Sequence, residues 1–186
     1  MRRFSLCASV LACLLASGIG ASAQSFDMAA DAFRQAYDAR LKQDGRGGLA
    51  SCRAMSKLEV ACAFRGDPNA GARGWLSRLD HREHMALQLG DGKLAGIVLN
   101  GQRNTPAAER HFIGLVTSAI GALSPSLDKD KIDEIVAGLG LTRDDNSPDI
   151  GESLNHSEPA WTIHCLSQYS QVATDLACTI EPGAAG

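Results

Sequence analysis

The chain has 186 residues, 45% of them apolar, and its 18 basic against 21 acidic residues give a formal charge of −3. Mild acidity without any cluster of lysine or arginine argues against a nucleic-acid partner and against an anionic membrane surface. There is no low-complexity tract, and the apolar content is that of one ordinary folded domain.

The first 23 residues read as an export signal. Arg2 and Arg3 form a positive start, "FSLCASVLACLLASGIG" is an apolar stretch, and Ala21-Ser22-Ala23 offers the small-x-small pattern that a signal peptidase cuts. The apolar run is short against the roughly 20 residues a spanning helix needs, so no membrane span is expected in the mature chain. "VLAC" before Cys13 loosely matches a lipoprotein cleavage site, but the run continues through "LLASGIG", which favours cleavage after Ala23. Removing residues 1–23 takes away Arg2 and Arg3 and no acidic residue, leaving 163 residues with a charge of −5. That length makes 24–186 a single globular domain. The expected location is the bacterial periplasm or the medium outside the cell.

Along the mature chain, "SFDMAADAFRQAYDARLKQDG" puts Phe26, Ala30, Phe33, Tyr37 and Leu41 on one helical stripe, with Gly45 as a stop. "LASCRAMS" and "LEVACAFR" alternate with period two, as half-buried strands do. Residues 66 to 80, around Trp75, lack such a period. "EHMALQLGDGKLAGIVLNG" predicts a hairpin turning at Asp91-Gly92 in a type I′ turn. Its second strand is apolar on both faces, which predicts a central strand covered on both sides.

"NTPAAERHFIGLVTSAIGALSP" predicts a helix capped by Thr105 with Pro106 in its first turn, its stripe carrying Phe112, Val116, Ala119 and Leu123. "DKDKIDEIVAGLG" predicts another, with Ser126 as the expected N-cap and Gly140 as its stop. Residues 142–160 read as a long polar loop holding only two large apolar residues, Ile150 and Leu154. "WTIHCLSQY" and "TDLACTIE" return to period two. The expected fold is α+β: an antiparallel sheet built from three hairpins, with about three helices packed on it.

Four cysteines remain after the signal leaves, Cys52, Cys62, Cys165 and Cys178, and an even count in an exported chain implies disulfides. Each pair of alternating segments places its two cysteines opposite each other across a hairpin, at a separation a disulfide spans. The expected bridges are Cys52–Cys62 and Cys165–Cys178. The phrases "VACAFRG" and "LACTIEPG" then look alike because each is the return strand of a pinned hairpin. A weak internal duplication of the Cys hairpins at 49–65 and 161–181 is the alternative reading of that likeness.

Signs of catalysis are thin. His81 and His84 in "HREH" lack the HExxH spacing and a third ligand, so surface histidines are favoured over a metal site. The acidic loop residues Asp144, Asp145, Asn146, Asp149 and Glu152 fit no calcium-loop frame. Ser126 with Lys129 forms an SxxK, and Ser153 with Asn155 an SxN, but no Lys-Thr-Gly follows. His111 and His156 are expected to be structural or solvated. No motif calls for a cofactor or a catalytic residue, and nothing in the pattern selects an oligomeric state.

Two function classes follow. The favoured one is a non-catalytic exported module that binds a periplasmic or extracellular protein or a small ligand, with Trp75, His81, His84 and His164 as the candidate binding surface. A rigid, disulfide-pinned surface loses little entropy on binding. The alternative is a small periplasmic hydrolase with a site around His81 and His84, drawing on Asp80 and Glu83. The layout of pinned hairpins with helices on one sheet resembles secreted enzyme inhibitors of the β-lactamase inhibitory protein type. That resemblance is one of architecture without a shared motif. It implies an inhibitor-like or chaperone-like binder and assigns no residue.

Overall fold

The structure is a computed structural model that describes residues 25–65, 83–103, 105–141, 153–169 and 174–183. Its elements are α1 (Ala30–Gln43), β1 (Leu49–Ala54), β2 (Glu59–Phe64), β3 (His84–Gly90), β4 (Lys93–Gln102), α2 (Pro106–Leu123), α3 (Lys129–Gly138), β5 (Ser153–Glu158), β6 (Trp161–Tyr169) and β7 (Thr174–Pro182). The seven strands form one antiparallel sheet in the order β1-β2-β3-β4-β7-β6-β5. The chain lays β1 to β4 from one edge to the centre, crosses through α2 and α3 to the other edge, and returns through β5 and β6 to β7 beside β4. This is the expected α+β fold with its three helices. Among the described residues no helix is long and apolar enough to cross a membrane.

Local chemistry places most boundaries. Thr105 caps α2 by accepting a hydrogen bond from the Ala108 N–H at 3.1 Å, with Pro106 behind it in the first turn. The β3–β4 turn has φ of 50° at Asp91 and 78° at Gly92, the two positive values a type I′ turn demands. Gly140 ends α3 at φ 63°, its N–H donating to the Ala137 carbonyl at 2.9 Å. The cap of α3 is Asp128 instead of Ser126. Its carboxylate accepts from the Lys131 N–H at 2.8 Å, and it adds negative charge at the helix N-terminus.

The helices cover one face of the sheet. Phe33, Tyr37 and Leu41 of α1 are fully buried. Tyr37 stacks on Phe33 with centroids 5.5 Å apart and meets Phe64 of β2 edge-on at 6.2 Å. Phe26 belongs to the same core but precedes the helix, its N–H donating to the Leu94 carbonyl. On α2 the stripe is Phe112, Leu115, Val116, Ala119 and Ile120, all buried. The Phe112 ring lies on Gly101 of β4, where any Cβ would overlap it. Ile132, Ile135 and Val136 of α3 complete the layer.

Three expectations need correction. Residues 153–158, expected in the polar loop 142–160, form edge strand β5. The alternation that makes it a strand is hard to read: Leu154, His156 and Glu158 turn half inward, and only the first is apolar. His156 therefore stands on a strand, 6.0 Å from the Trp161 ring and bonded to Glu158. Residues 142–152 and 66–82 lie outside the described residues. Strand β4 is central, between β3 and β7; among the described residues the helices cover one side of it, and on the other Val98 and Asn100 are half-buried while Gln102 is buried. Its pattern is also irregular. The register shift between Gln88 and Leu89 makes Ala95 an extra residue, so Leu94 and Ile97 both face the core.

Both expected bridges are present. Cys52–Cys62 and Cys165–Cys178 join directly opposed residues, with Cα atoms 4.0 and 4.1 Å apart. They occupy different places in the sheet: the first ties edge strand β1 to β2, the second ties central β7 to β6. Each closes a loop of about a dozen residues, which the chain-entropy model values at roughly 2.5 to 3 kcal/mol. Cys165 and Cys178 are buried, whereas Cys52 is half-exposed. Urea unfolding of the double variants should therefore rank them. Cys165→Ala with Cys178→Ala should cost about 1 kcal/mol more than Cys52→Ala with Cys62→Ala, because it also loosens core packing. Equal costs would mean that loop entropy alone decides.

Candidate functional site

The face of the sheet turned away from the three described helices, here the open face, is defined by register. One row of neighbours runs Ala63, His84, Asn100, Ala177 and Leu166, from β2 to β6. The next runs Ala61, Ala86, Val98, Thr179 and His164. Neither row contains a charged carboxylate, lysine or arginine, and their breadth is four inter-strand steps of about 4.8 Å, roughly 19 Å. Glu59, Glu181, Asp175 and Arg53 stand around them in the neighbouring rows and at the edge strand. The result is a surface in which alanine, valine and leucine stand among His84, Asn100, Thr179 and His164, with charged residues around it, the arrangement of an interface core and its surround.

Two of the four candidate binding residues are placed here. His84 and His164 lie on this same open face, three strands apart, about 14 Å by strand spacing. That distance is far beyond what one metal ion could bridge. His84 Nε2 pairs with Asn100 Nδ2 of the adjoining strand at 3.1 Å. Trp75 and His81, like Asp80, lie outside the described residues. Among the described residues no group of three histidine, cysteine or acidic side chains is arranged to hold a metal.

Glu83, beside His84 in sequence, goes the other way. Its side chain is fully buried beneath α2 and bonds His111 Nδ1 through Oε2. The imidazole keeps 15% of its side-chain surface exposed. Above this pair the Arg46 side chain crosses α2 at Gly114, where a Cβ would overlap the guanidinium, and Nη1 donates to the Arg110 carbonyl at 3.4 Å. Tyr37 completes the group, its hydroxyl donating to the Leu115 carbonyl at 3.2 Å. Burial pushes the Tyr37 hydroxyl well above the usual tyrosine range, with the Arg46 charge opposing and the Glu83 charge adding, so it stays neutral. Glu83 Oε1 and Arg46 Nε are buried without a hydrogen bond.

This polar knot was only partly visible in the sequence. Gly114 and Gly121 interrupt the helix, a sign that something approaches it closely, but the arginines that do so, Arg46 and Arg40, come from 68 and 81 residues away. Arg40 packs at Gly121 as Arg46 does at Gly114, and Ser118 between them donates to Asp44 at 2.8 Å. The α1–α2 seam is thus apolar on its sheet side and polar at its C-terminal end. Comparison of the chain with family models, with curated proteins and with solved structures finds no match.

The Glu83–His111 contact should be a stability element. His111→Ala leaves a buried carboxylate without its partner and should cost about 3 kcal/mol in chemical unfolding, and Glu83→Gln, which keeps an acceptor, about 1 kcal/mol. Additive single and double variants would mean that the two groups do not interact.

A second prediction concerns Asp38. The hydrogen bond from Lys42 Nζ at 2.5 Å, helped by the Leu49 N–H at 2.7 Å and the Arg65 charge and opposed by partial burial, holds its carboxyl below the usual range. A depressed carboxyl stabilises the fold above its ordinary pKa and loses that contribution as pH falls through the folded value. The stability gap between the native chain and Asp38→Asn should be constant from pH 7 to about 5, then close towards pH 3. The gap should stay under about 1 kcal/mol, since solvent screens the pair. A gap that widens in acid would contradict this.

Proposed function

We propose that the chain is an exported, disulfide-stabilised binding module that docks a periplasmic or extracellular protein on the open face of its sheet. The observation that carries this reading is the pair of uncharged rows centred on Ala86, Val98, Asn100, Ala177 and Thr179, framed by charged residues. Half-buried Val98 and Leu166 add apolar area to the two rows, and charge is depleted from the core of a protein interface as it is here. A sheet face some four strands wide suits a protein surface, whereas small ligands are held in concave sites. Export is supported by the signal-like residues Arg2, Arg3 and Ala21-Ser22-Ala23 and by two disulfides, which persist in oxidising compartments.

The test uses tagged mature chain and two face variants, Ala86→Arg and Ala177→Arg, whose thermal unfolding is checked first. Cross-linking in periplasmic extract should recover one stoichiometric partner with the native chain, and both variants should weaken that complex by about tenfold or more. The reading fails if the partner is held equally by both variants. It also fails if the chain hydrolyses model esters or peptides and His84→Ala abolishes the turnover, which would move the function to the hydrolase class.

A further inference from the structure

We propose that the free edge of β1, with the groove between it and α1, accepts an extended acidic segment of a partner protein as an eighth strand. This surface is separate from the open face and goes beyond the docking reading above. Strand β1 ends the sheet, and no described strand pairs with its outer edge. The 4.0 Å Cα separation of Cys52 and Cys62 is that of a close pair without mutual backbone hydrogen bonds. The bond from the Met55 N–H to the Glu59 carbonyl, at 2.9 Å, sets the same alternation from the other end of the ladder. The N–H and C=O of Cys52 and Ala54 therefore point out of the sheet, two residues apart, as an added strand requires.

A docking strand would also find room and a fixed template. An open groove of about 270 Å³ lies between Arg34, Gln35 and Asp38 of α1 and the run Leu49 to Cys52 of β1. Ala50, Ser51 and Ala54 are short and β1 carries no proline; past the register shift between Leu49 and Ser51, the run from Cys52 to Ala54 pairs regularly with β2 and leaves its outer edge unpaired by any described strand. The disulfide holds the strand in place, which lowers the ordering cost of binding. At the hairpin tip stand Met55 and Leu58, 62% and 66% exposed, the exposed large hydrophobic residues among those described. They offer an apolar anchor at one end of the edge.

Charge selects the occupant. The chain is acidic overall, yet Arg34 lines the groove on the helix side of β1, Arg53 stands on the strand's other face and Lys57 in the turn that follows, while Arg65 Nε donates to the Leu49 carbonyl at 3.0 Å. Asp38, the acid in the groove wall, is already engaged by Lys42 and the Leu49 N–H, and the Arg34 pairing to Asp31 is solvent-exposed and weak. Glutamate or aspartate on the helix side of the incoming strand would meet Arg34, and on its other side Arg53, since successive side chains face opposite ways. A second copy is disfavoured, because two antiparallel β1 edges would set Arg53 near Arg53.

The probe is a blocked ten-residue peptide alternating valine with glutamate and ending in leucine, against a lysine counterpart and a proline-substituted one. Amide exchange followed by NMR should show the Cys52 and Ala54 N–H groups slowed about tenfold or more by the glutamate peptide alone. Ala54→Pro removes an outward N–H without touching the β1–β2 ladder and should abolish binding. Arg34→Glu, an exposed change that leaves the fold intact, should weaken binding about fivefold, and added salt should weaken it too. Ala86→Arg and Ala177→Arg should leave it unchanged, which separates this site from the open face. Equal binding of the lysine peptide, protection at Asn155 and Ser157 of β5 instead, or protection of Cys52 by self-association without peptide would each overturn the proposal.

Discussion

The Phe112 ring occupies the space that a side chain at position 101 would fill, and the covered face of the sheet is organised around that contact. Gly101 sits on the central strand β4, between β3 and β7, so α2 is brought down on the middle of the sheet. With α2 centred there, α1 packs on one flank through Tyr37 and Phe64, and α3 on the other beside β5. Three helices are thereby committed to one side. The chain keeps no described helix for the other side, and that is why apolar positions such as Val98 and Leu166 end up half-exposed.

The same helix explains the polar knot. An apolar stripe towards the sheet leaves the flank of α2 to meet the end of α1 and the loop after it. Glycine at 114 and 121 lets arginine side chains lie against the helix backbone there. Their charges are answered locally, by the Arg110 carbonyl for Arg46, while Asp44 is taken by Ser118 and Glu83 by His111. Burying a carboxylate is costly without a hydrogen-bonded partner, which makes His111 a condition for Glu83 being where it is. The pair lies on the face away from His84, so residues adjacent in sequence at the start of β3 serve different surfaces: Glu83 braces the helix layer and His84 stands on the other face of the sheet.

The two bridges act at different mechanical points. Cys165–Cys178 reinforces the centre, where β6, β7 and β4 carry the core. Cys52–Cys62 reinforces the edge, where burial is slight and β1 has few side chains to hold it down. An edge strand with little packing would ordinarily fray. Covalent attachment to β2 keeps it extended and presents its outward backbone groups in a fixed line.

Local sequence determined what depends on neighbours along the chain. The strands around the four cysteines, the Asp91-Gly92 turn, the Thr105-Pro106 start of α2 and the Gly140 stop are all set by backbone preference and by hydrogen bonds spanning a few residues. The pairing of cysteines was legible for the same reason, since directly opposed positions in a hairpin follow from its alternation. Of the candidate surface, His84 and His164 could be named, but not that they share a face. Tertiary structure alone decided the strand order, the strand formed by 153–158, the one-sided cover of β4, and the meeting of Arg46, Glu83 and His111. The reason is physical: an apolar residue such as Val98 states that it can be buried, not what will bury it. A glycine such as Gly101 states that space is available, and only the packed chain brings Phe112 to fill it.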